Sequence, residues 1–486
     1  MNYIVIDQGT SSTKAFLFNA HGQFLHTNKI KHELYRPRQF HVESDPSIFL
    51  NAIKLLFQEM VRTSGKTKIH RAGLAVQRST FLFWEKETCK PVTPALSWQD
   101  SRAYGIVEEF KEFDGKLWEM TGTPLSAHFG GPKFLHLIRK DQSLKRRVHN
   151  GDLYFGPLSA FLSQAITGLA GIDDSIACRS LFYNISKRKW SAFALDLFQI
   201  PQTCLPPLVP IKKNYGTLYE TDIPLSIIIG DQQAALIGQG GLKTGSMGAN
   251  FGTSGSIQYN AGRKPFIIKG LISSVLYSDE EKRMFMVEGT INACNALFYH
   301  LENMLSIPHK EMNWDKRARS TDTDGIYIPG FSGLSAPYWT TGFEDIFIGL
   351  KEDPDQIVRA AMESIGFLVN DILECLKPAV ATLPNMLTAA GGCARPSLLQ
   401  FIANLTGMRI SYSSIKDRTA FGVFRILNDS YIGENSNRVD TVFYPEQSVN
   451  IIEKKAQWRK AIELSLIHIS EPTRPRLISY AVFCLK

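Results

Sequence analysis

The sequence predicts an α/β protein built from two similar-sized halves, and three observations carry that prediction. The chain opens on an apolar, β-branched run, Tyr3-Ile-Val-Ile6, which ends at Asp7 and a glycine–hydroxyl turn, Gly9-Thr10-Ser11-Ser12-Thr13. A related turn, Gly248-Ala-Asn-Phe-Gly252-Thr253-Ser254-Gly255-Ser256, occurs in the second half. Long helical patterns, Asp45 to Thr63 and Asp355 to Leu376, lie among such strands. Alternating strands and helices indicate α/β layers, and 486 residues exceed what one core organises.

Each element has a local cause. Tyr3 to Ile6 reads as a buried strand, and a second apolar run resumes at Ala15 within hairpin distance. Gly9 supplies the freedom a tight turn needs. The surrounding hydroxyls and backbone N–H groups can hold phosphate oxygens, and Asp7 can hold a hard cation beside them. An ordinary glycine turn explains this stretch equally well. Ser44-Asp45-Pro46 is a helix start, with a capping residue before a proline in the first turn. Leu225 to Ile229 is a further apolar strand ending at Gly230 and Asp231, and Leu387-Thr-Ala-Ala-Gly391-Gly392 is another strand-to-glycine transition. A boundary near residue 225 gives halves 1–225 and 226–463, with nucleotide expected in the cleft between them. One doubly wound domain with appendages is the alternative.

Composition narrows the function classes. Apolar residues make up 44% and charged residues 21%, ordinary for a soluble globular chain. The net charge of +8 helps steer anionic ligands but is too diffuse to indicate nucleic acid. Lys145-Arg146-Arg147 reads as a solvated helix face. Cys89, Cys178, Cys204, Cys294, Cys375, Cys393 and Cys484 are scattered, without metal-ligand spacing, and read as reduced thiols of a cytoplasmic protein. Neither a signal peptide nor a membrane span is expected. From Leu464 to Lys486 the chain resembles translated sequencing adapter. It is set aside as a non-native tail, which places the natural C-terminus elsewhere. Without that tail, which carries Arg474, Arg476 and Lys486 against Glu471, the charge falls from +8 to +6.

Several segments together resemble the FGGY carbohydrate kinases, in the glycerol-kinase-like branch. They are Asp7-Gln-Gly-Thr-Ser-Ser-Thr13, Val76-Gln-Arg78-Ser79-Thr80, Ser97-Trp98-Gln99-Asp100-Ser-Arg102 and Thr121 to Lys133. They continue with Asp173 to Phe182, Gly230-Asp231-Gln232-Gln233, Phe251 to Ser254, Glu288-Gly-Thr290 and Ala390 to Arg395. The resemblance implies two duplicated actin-like (ribonuclease-H-like) domains around a nucleotide cleft. The first half is then the acceptor side and the second the nucleotide side. It implies transfer of the γ-phosphoryl group of MgATP to a hydroxyl of a small polyol or sugar. Neither nucleic acid nor membrane is an expected partner, and homo-oligomerisation is left open.

The implied roles fall residue by residue. Asp231 is the implied general base. Read alone, it is equally a helix N-cap. Asp7 is implied to hold Mg²⁺ through water, its other reading being a turn-stabilising carboxylate. Thr10, Ser11, Lys14, Gly252 and Thr253 align with phosphate contacts. Gly391 and Gly392 align with the adenosine-side turn, and strand-end turn chemistry explains them too. Arg78 is the implied acceptor-orienting residue, with a strand-end surface arginine as the alternative. Gln232 belongs with it, and Trp98, Gln99 and Asp100 wall the same side, Trp98 more by packing than by contact.

The pattern also breaks. Ser79 stands where glycerol kinases carry an acceptor-binding Glu, and losing such a charge-assisted bond costs about 1.5–3 kcal/mol. His128 stands for a Tyr, Asn295 for an adenosine-side Gly, and Tyr299 for a Gln. The Cys393 to Ser397 loop is one residue short, and Val423-Phe-Arg-Ile-Leu427 replaces a small-residue helix. Glycerol is the first expected acceptor. A pentulose kinase and a nucleotide-binding regulatory protein without turnover are the competing readings.

Overall fold

The computed structural model describes residues 1–340, 342–413, 417–429, 441–446 and 449–470. The opening hairpin forms as expected, with β1 (Asn2–Gln8) antiparallel to β2 (Ser12–Asn19) and β3 (Phe24–Lys31) beyond it. Helix α1 (Pro46–Ser64) starts where the cap predicts. Asp45 accepts the Ser47 N–H at 2.9 Å, and Pro46 takes the first helical position, where a missing N–H costs nothing. Phe49, Ile53, Leu56 and Met60 recur at helical spacing on its buried face. Strand β4 (Ile69–Val76) and strand β5 (Leu225–Gly230) complete a sheet of order β3-β2-β1-β4-β5, parallel from β1 to β5. The boundary at residue 225 thus cuts this last strand from the sheet it closes. Division by sheet falls after helix α3 (Asp231–Gly238), which follows helix α2 (Gly130–Lys140) in the insertion between β4 and β5. That insertion supplies three strands of a four-stranded antiparallel sheet, the fourth being Glu43–Ser44 ahead of α1, and a separate core around Phe81, Phe83, Phe134 and Phe155.

The second half repeats the first. Its sheet comprises β6 (Met247–Phe251), β7 (Gly255–Gly262), β8 (Ile272–Ser278), β9 (Arg283–Ile291), β10 (Met386–Ala390), β11 (Arg409–Tyr412) and β12 (Thr441–Phe443). Its inner order, β9-β7-β6-β10-β11, has the same strand senses as the first sheet. The helices α4 (Asn295–Met304), α5 (Pro354–Leu376) and α6 (Pro396–Thr406) surround it. Helix α5 repeats the start of α1, with Asp353 accepting the Asp355 N–H at 2.9 Å and Pro354 next. Duplication is therefore visible in both topology and capping.

The halves interlock through α3 and helix α7 (Arg418–Leu427), each following the last parallel strand of its sheet. Their backbones nearly touch. A Cβ on Gly422 would lie 1.8 Å from the Ala234 carbonyl oxygen, and one on Gly238 would lie 2.1 Å from that of Arg418. The large residues of α7, unexplained from sequence, fill the first sheet. Val423 packs onto Gly73, and Phe424 stacks on Phe18 at 4.7 Å. Arg425 donates to the Ile237 carbonyl at 3.2 Å, satisfying the end of α3. Gly422→Ala should consequently lower stability by about 1–3 kcal/mol, read from the urea midpoint, because the added methyl has nowhere to go.

Helix α8 (Val449–Ser470) runs unbroken past Glu463. Trp458 anchors it, stacking on Phe367 at 5.0 Å and donating to Asp371 at 2.7 Å. Residues 471–486 of the adapter-like tail lie outside the described residues. Among the described residues no helix is long and apolar enough to cross a membrane.

Candidate active site

Strand register assembles the first half of the site. Gln8, Val76 and Gly230 are neighbours at the carboxyl edge of three parallel strands. Asp7, Arg78 and Asp231 lie within two residues of that line, the place where open α/β sheets bind ligands. Asp231 is the first helical residue of α3 and Gly230 is the N-cap, so the capping role considered for Asp231 falls to its neighbour. The Gly230 N–H donates to Ser175 Oγ at 2.9 Å, and Ser175 Oγ donates in turn to the buried Asp173. Burial raises the pKa of Asp231, and the Arg78 guanidinium opposes that rise. Asp7 is pushed up to about 7, first by burial and then by the Asp231 charge, with Lys14 opposing. Two carboxylates thus repel each other at one strand edge, an arrangement that a cation relieves.

Arg78 is no surface arginine. It makes two parallel bonds of 2.9 Å to Glu288, and its Nε lies 3.6 Å from Asp231. Arg179 donates to the same Glu288 at 2.6 Å. Burial works against the Glu288 charge, yet the two arginines hold its pKa down at about 2. Glu288 and Arg179 stood in the motif segments but were not among the expected site residues. Charge pairing across more than a hundred positions leaves no local spacing to read. Gln232 accepts from Gln258 at 3.2 Å, a further link between the sheets.

Trp98, His128, Ser79, Gln99 and Asp100 form a group of their own. Trp98 is 41% exposed and donates to Thr10 Oγ1 at 2.9 Å, so it is a surface residue tied to the opening hairpin and not a core side chain. His128 Nδ1 meets the Trp98 carbonyl at 2.9 Å, which makes Nδ1 the protonated nitrogen. Desolvation by the surrounding segments lowers the His128 pKa, and nearby Lys133 adds to that effect. Ser79 is buried and adopts φ +61°, a left-handed backbone uncommon outside glycine. Gln99 Oε1 accepts from Arg36 at 2.5 Å, and Asp100 is fully buried against Arg102. Asp100 therefore braces the others from behind.

The second hairpin mirrors the first. Gly9 N–H bonds to the Ser12 carbonyl at 3.0 Å, and Gly252 N–H bonds to that of Ser254 at 2.9 Å. Ser11 and Thr253 are exposed at the two tips. Lys14 reaches across the cleft to Asp417 at 2.8 Å. Asn295 opens α4, its N–H bonded to the Gly252 carbonyl at 3.0 Å, and its amide nitrogen lies 3.2 Å from where a Gly392 Cβ would be. Gly252, Asn295 and Gly392 thus form one surface. Gly391 answers a different demand. Its φ is +108°, and a Cβ there would fall 2.2 Å from the Phe251 carbonyl oxygen. Tyr299 stands on the exposed face of α4, its ring 5.7 Å from that of His309. The short loop closes because Cys393 N–H bonds to the Phe251 carbonyl at 2.8 Å, and α6 begins at Pro396.

Known proteins share this architecture. The chain is 32% identical over 440 residues to glycerol kinase 1 of Thermotoga maritima, covering 87% of this chain and 89% of that one. It is 30% identical over 485 residues to a glycerol kinase of Brevibacillus brevis, covering 95% and 97%. A crystal structure of Plasmodium falciparum glycerol kinase with ADP superposes with a TM-score of 0.87 at 26% identity, covering 96% of this chain and 98% of that one. A xylulose kinase from Rhodospirillum rubrum shares the fold, with a TM-score of 0.84 at 16% identity, over 96% and 100% of the two chains. Residues 2–238 match the N-terminal domain and residues 247–427 the C-terminal domain of one family model, so the chain belongs to the FGGY family of carbohydrate kinases.

Proposed function

We propose that this protein is a cytoplasmic, ATP-dependent polyol kinase with glycerol as its leading acceptor. The observation that carries the proposal is Asp231 at a strand edge beside Arg78, with Arg78 held from the far side by Glu288. An acceptor hydroxyl beside Asp231 gives its proton to the carboxylate. The oxygen then attacks the γ-phosphorus, the bond to the β-phosphate oxygen breaks, and ADP leaves. Thr10, Ser11, Lys14, Gly252 and Thr253 are the donors for phosphate oxygens, while Gly392 and Asn295 flank the adenosine side. Mg²⁺, when bound with the nucleotide, neutralises phosphate charge. Asp7 is the residue that would hold it, through water. The donor set fits such an ion: Asp7 is half-buried and lies within reach of the Asp231 charge, and a hard cation carried on phosphates relieves that repulsion.

Acceptor identity turns on Ser79 and His128. A substrate hydroxyl meets a short neutral side chain at position 79, and at position 128 an imidazole whose Nδ1 is committed to the Trp98 carbonyl, leaving Nε2 for the substrate. Ser79→Glu should lower the glycerol KM by roughly tenfold if the missing acceptor limits binding. ADP release across glycerol, dihydroxyacetone, erythritol, xylulose and ribulose tests the proposal. Turnover on a pentulose above glycerol would replace the polyol with a ketose. ATP binding without acceptor-dependent release would favour a regulatory protein.

A further inference from the structure

Enclosed lysines are rare, because an ammonium stripped of water needs partners. Lys133 is 0% exposed. It enters the protein on the first turn of α2, where the chain is pressed against aromatic rings. A Cβ on Gly130 would lie 2.8 Å from the Phe81 ring, and one on Gly131 would lie 2.5 Å from the Phe198 ring. The lysine is thus held at its root as well as at its tip.

Its partners are backbone oxygens. Nζ donates to the carbonyls of Ser79 at 2.8 Å, Ser97 at 2.7 Å and Leu96 at 3.4 Å, three acceptors that match the three N–H bonds of the ammonium form, while burial pushes its pKa down to about 7. The nearby carboxylate of Asp100 is committed to Arg102 and to the Val42 N–H. The two short bonds reach different walls of the acceptor site. Ser79 follows Arg78, which faces Asp231 and Glu288. Ser97 precedes Trp98, which binds Thr10 through its indole and His128 through its carbonyl. The Ser79 carbonyl also belongs to the residue with φ +61°, and such backbone persists only where its surroundings fix it.

We propose that Lys133 is the positioning residue of the acceptor pocket. Its ammonium pins the Arg78–Ser79 turn to the Ser97–Trp98 segment and so sets the width of the space the acceptor occupies. The inference rests on the kinase reading above. It predicts an effect confined to the acceptor, because the nucleotide-side residues Gly252, Asn295 and Gly392 stand on the other half and share no bond with Lys133.

The test uses the full chain with Lys133→Met, which keeps the apolar stem and removes the donors, and Lys133→Gln, which retains an N–H donor. For the best acceptor of the panel, Lys133→Met should raise KM by roughly tenfold or more while KM for ATP stays within about twofold. Lys133→Gln should fall between it and the wild type. If Lys133→Met does not fold, the Gln variant decides, with an expected acceptor KM increase of about threefold or more. A purely structural lysine would lower the active fraction and the melting temperature and leave acceptor KM unmoved. That result, or a parallel rise in both KM values, overturns the inference. A wild type inactive across the panel overturns the kinase reading and this inference with it, whereas an active wild type with an unchanged variant overturns this inference alone.

Discussion

Asp231→Asn should lower kcat by about a hundredfold to ten-thousandfold while leaving nucleotide affinity intact. The substitution is nearly isosteric, and Asn Oδ1 still accepts the Gln232 N–H that Asp231 accepts at 2.8 Å. Placement survives as well, because it is set upstream. Gly230 is held through Ser175, and its missing Cβ makes room for Gln233 and for Arg78, whose Cδ would otherwise stand 3.0 Å away. What is lost is the ability to take a proton. Asp231 suits that task since its distance of 3.6 Å to Arg78 attracts without forming a short bond, leaving carboxylate lone pairs for an acceptor hydroxyl. Burial makes it a stronger base than an exposed aspartate, and the Arg78 guanidinium opposes that rise. Acceptor-dependent ADP release and calorimetric ADP binding check the two halves of the prediction. Near-normal turnover would remove Asp231 from the role of base.

Local order was readable in the sequence, and long-range order was not. The opening hairpin, α1 with its Asp-Pro start, and α5 follow from period, caps and turns, because each cause lies within a few residues of its effect. The family resemblance located Asp7, Arg78 and Asp231 on segments that the first sheet does bring to one edge. The boundary at 225 missed by one strand and one helix, since nothing local says that Leu225–Gly230 pairs with Ile69–Val76. Trp98 was read as packing, yet an indole N–H can be satisfied at the surface as well as in a core. Gly391 illustrates the converse. Its glycine was read as nucleotide clearance or strand-end turn chemistry, and φ +108° with the Phe251 carbonyl so near shows that the turn by itself forbids any side chain there. The bulky end of α7 made no sense on the nucleotide side because Val423 and Phe424 pack into the first sheet. Lys133 and Glu288 sat in plain motif segments, but a buried charge announces itself only once its surroundings are known.

Glu288→Gln is the substitution expected to cost most in stability, about 3–5 kcal/mol. Glu288 stands on β9 of the second sheet, while both its partners come from the first half, so it pins the halves beside Arg78 and Asp231. Its side chain is 1% exposed, and those of Arg179 and Arg78 are 3% and 12%. The folded carboxyl titrates near 2, below its ordinary 4.5. Its stabilisation is therefore present above the ordinary carboxylate range and lost only as pH falls toward 2. The glutamine keeps the shape and drops the charge, leaving two enclosed guanidinium groups facing each other with only Asp231, 3.6 Å from Arg78, to offset them. Arg78 then has reason to turn toward Asp231, which would raise acceptor KM and weaken the base together. Urea midpoints and acceptor KM report the two effects separately. The double variant Glu288→Gln with Arg179→Met discriminates cause from coincidence. If uncompensated charge is the cause, removing one arginine along with the carboxylate recovers part of the loss, and the two changes are far from additive. Additive changes, or a single-variant loss under about 1 kcal/mol, would mean that the halves are held by α3 and α7 and that Glu288 merely fills the space behind Arg78.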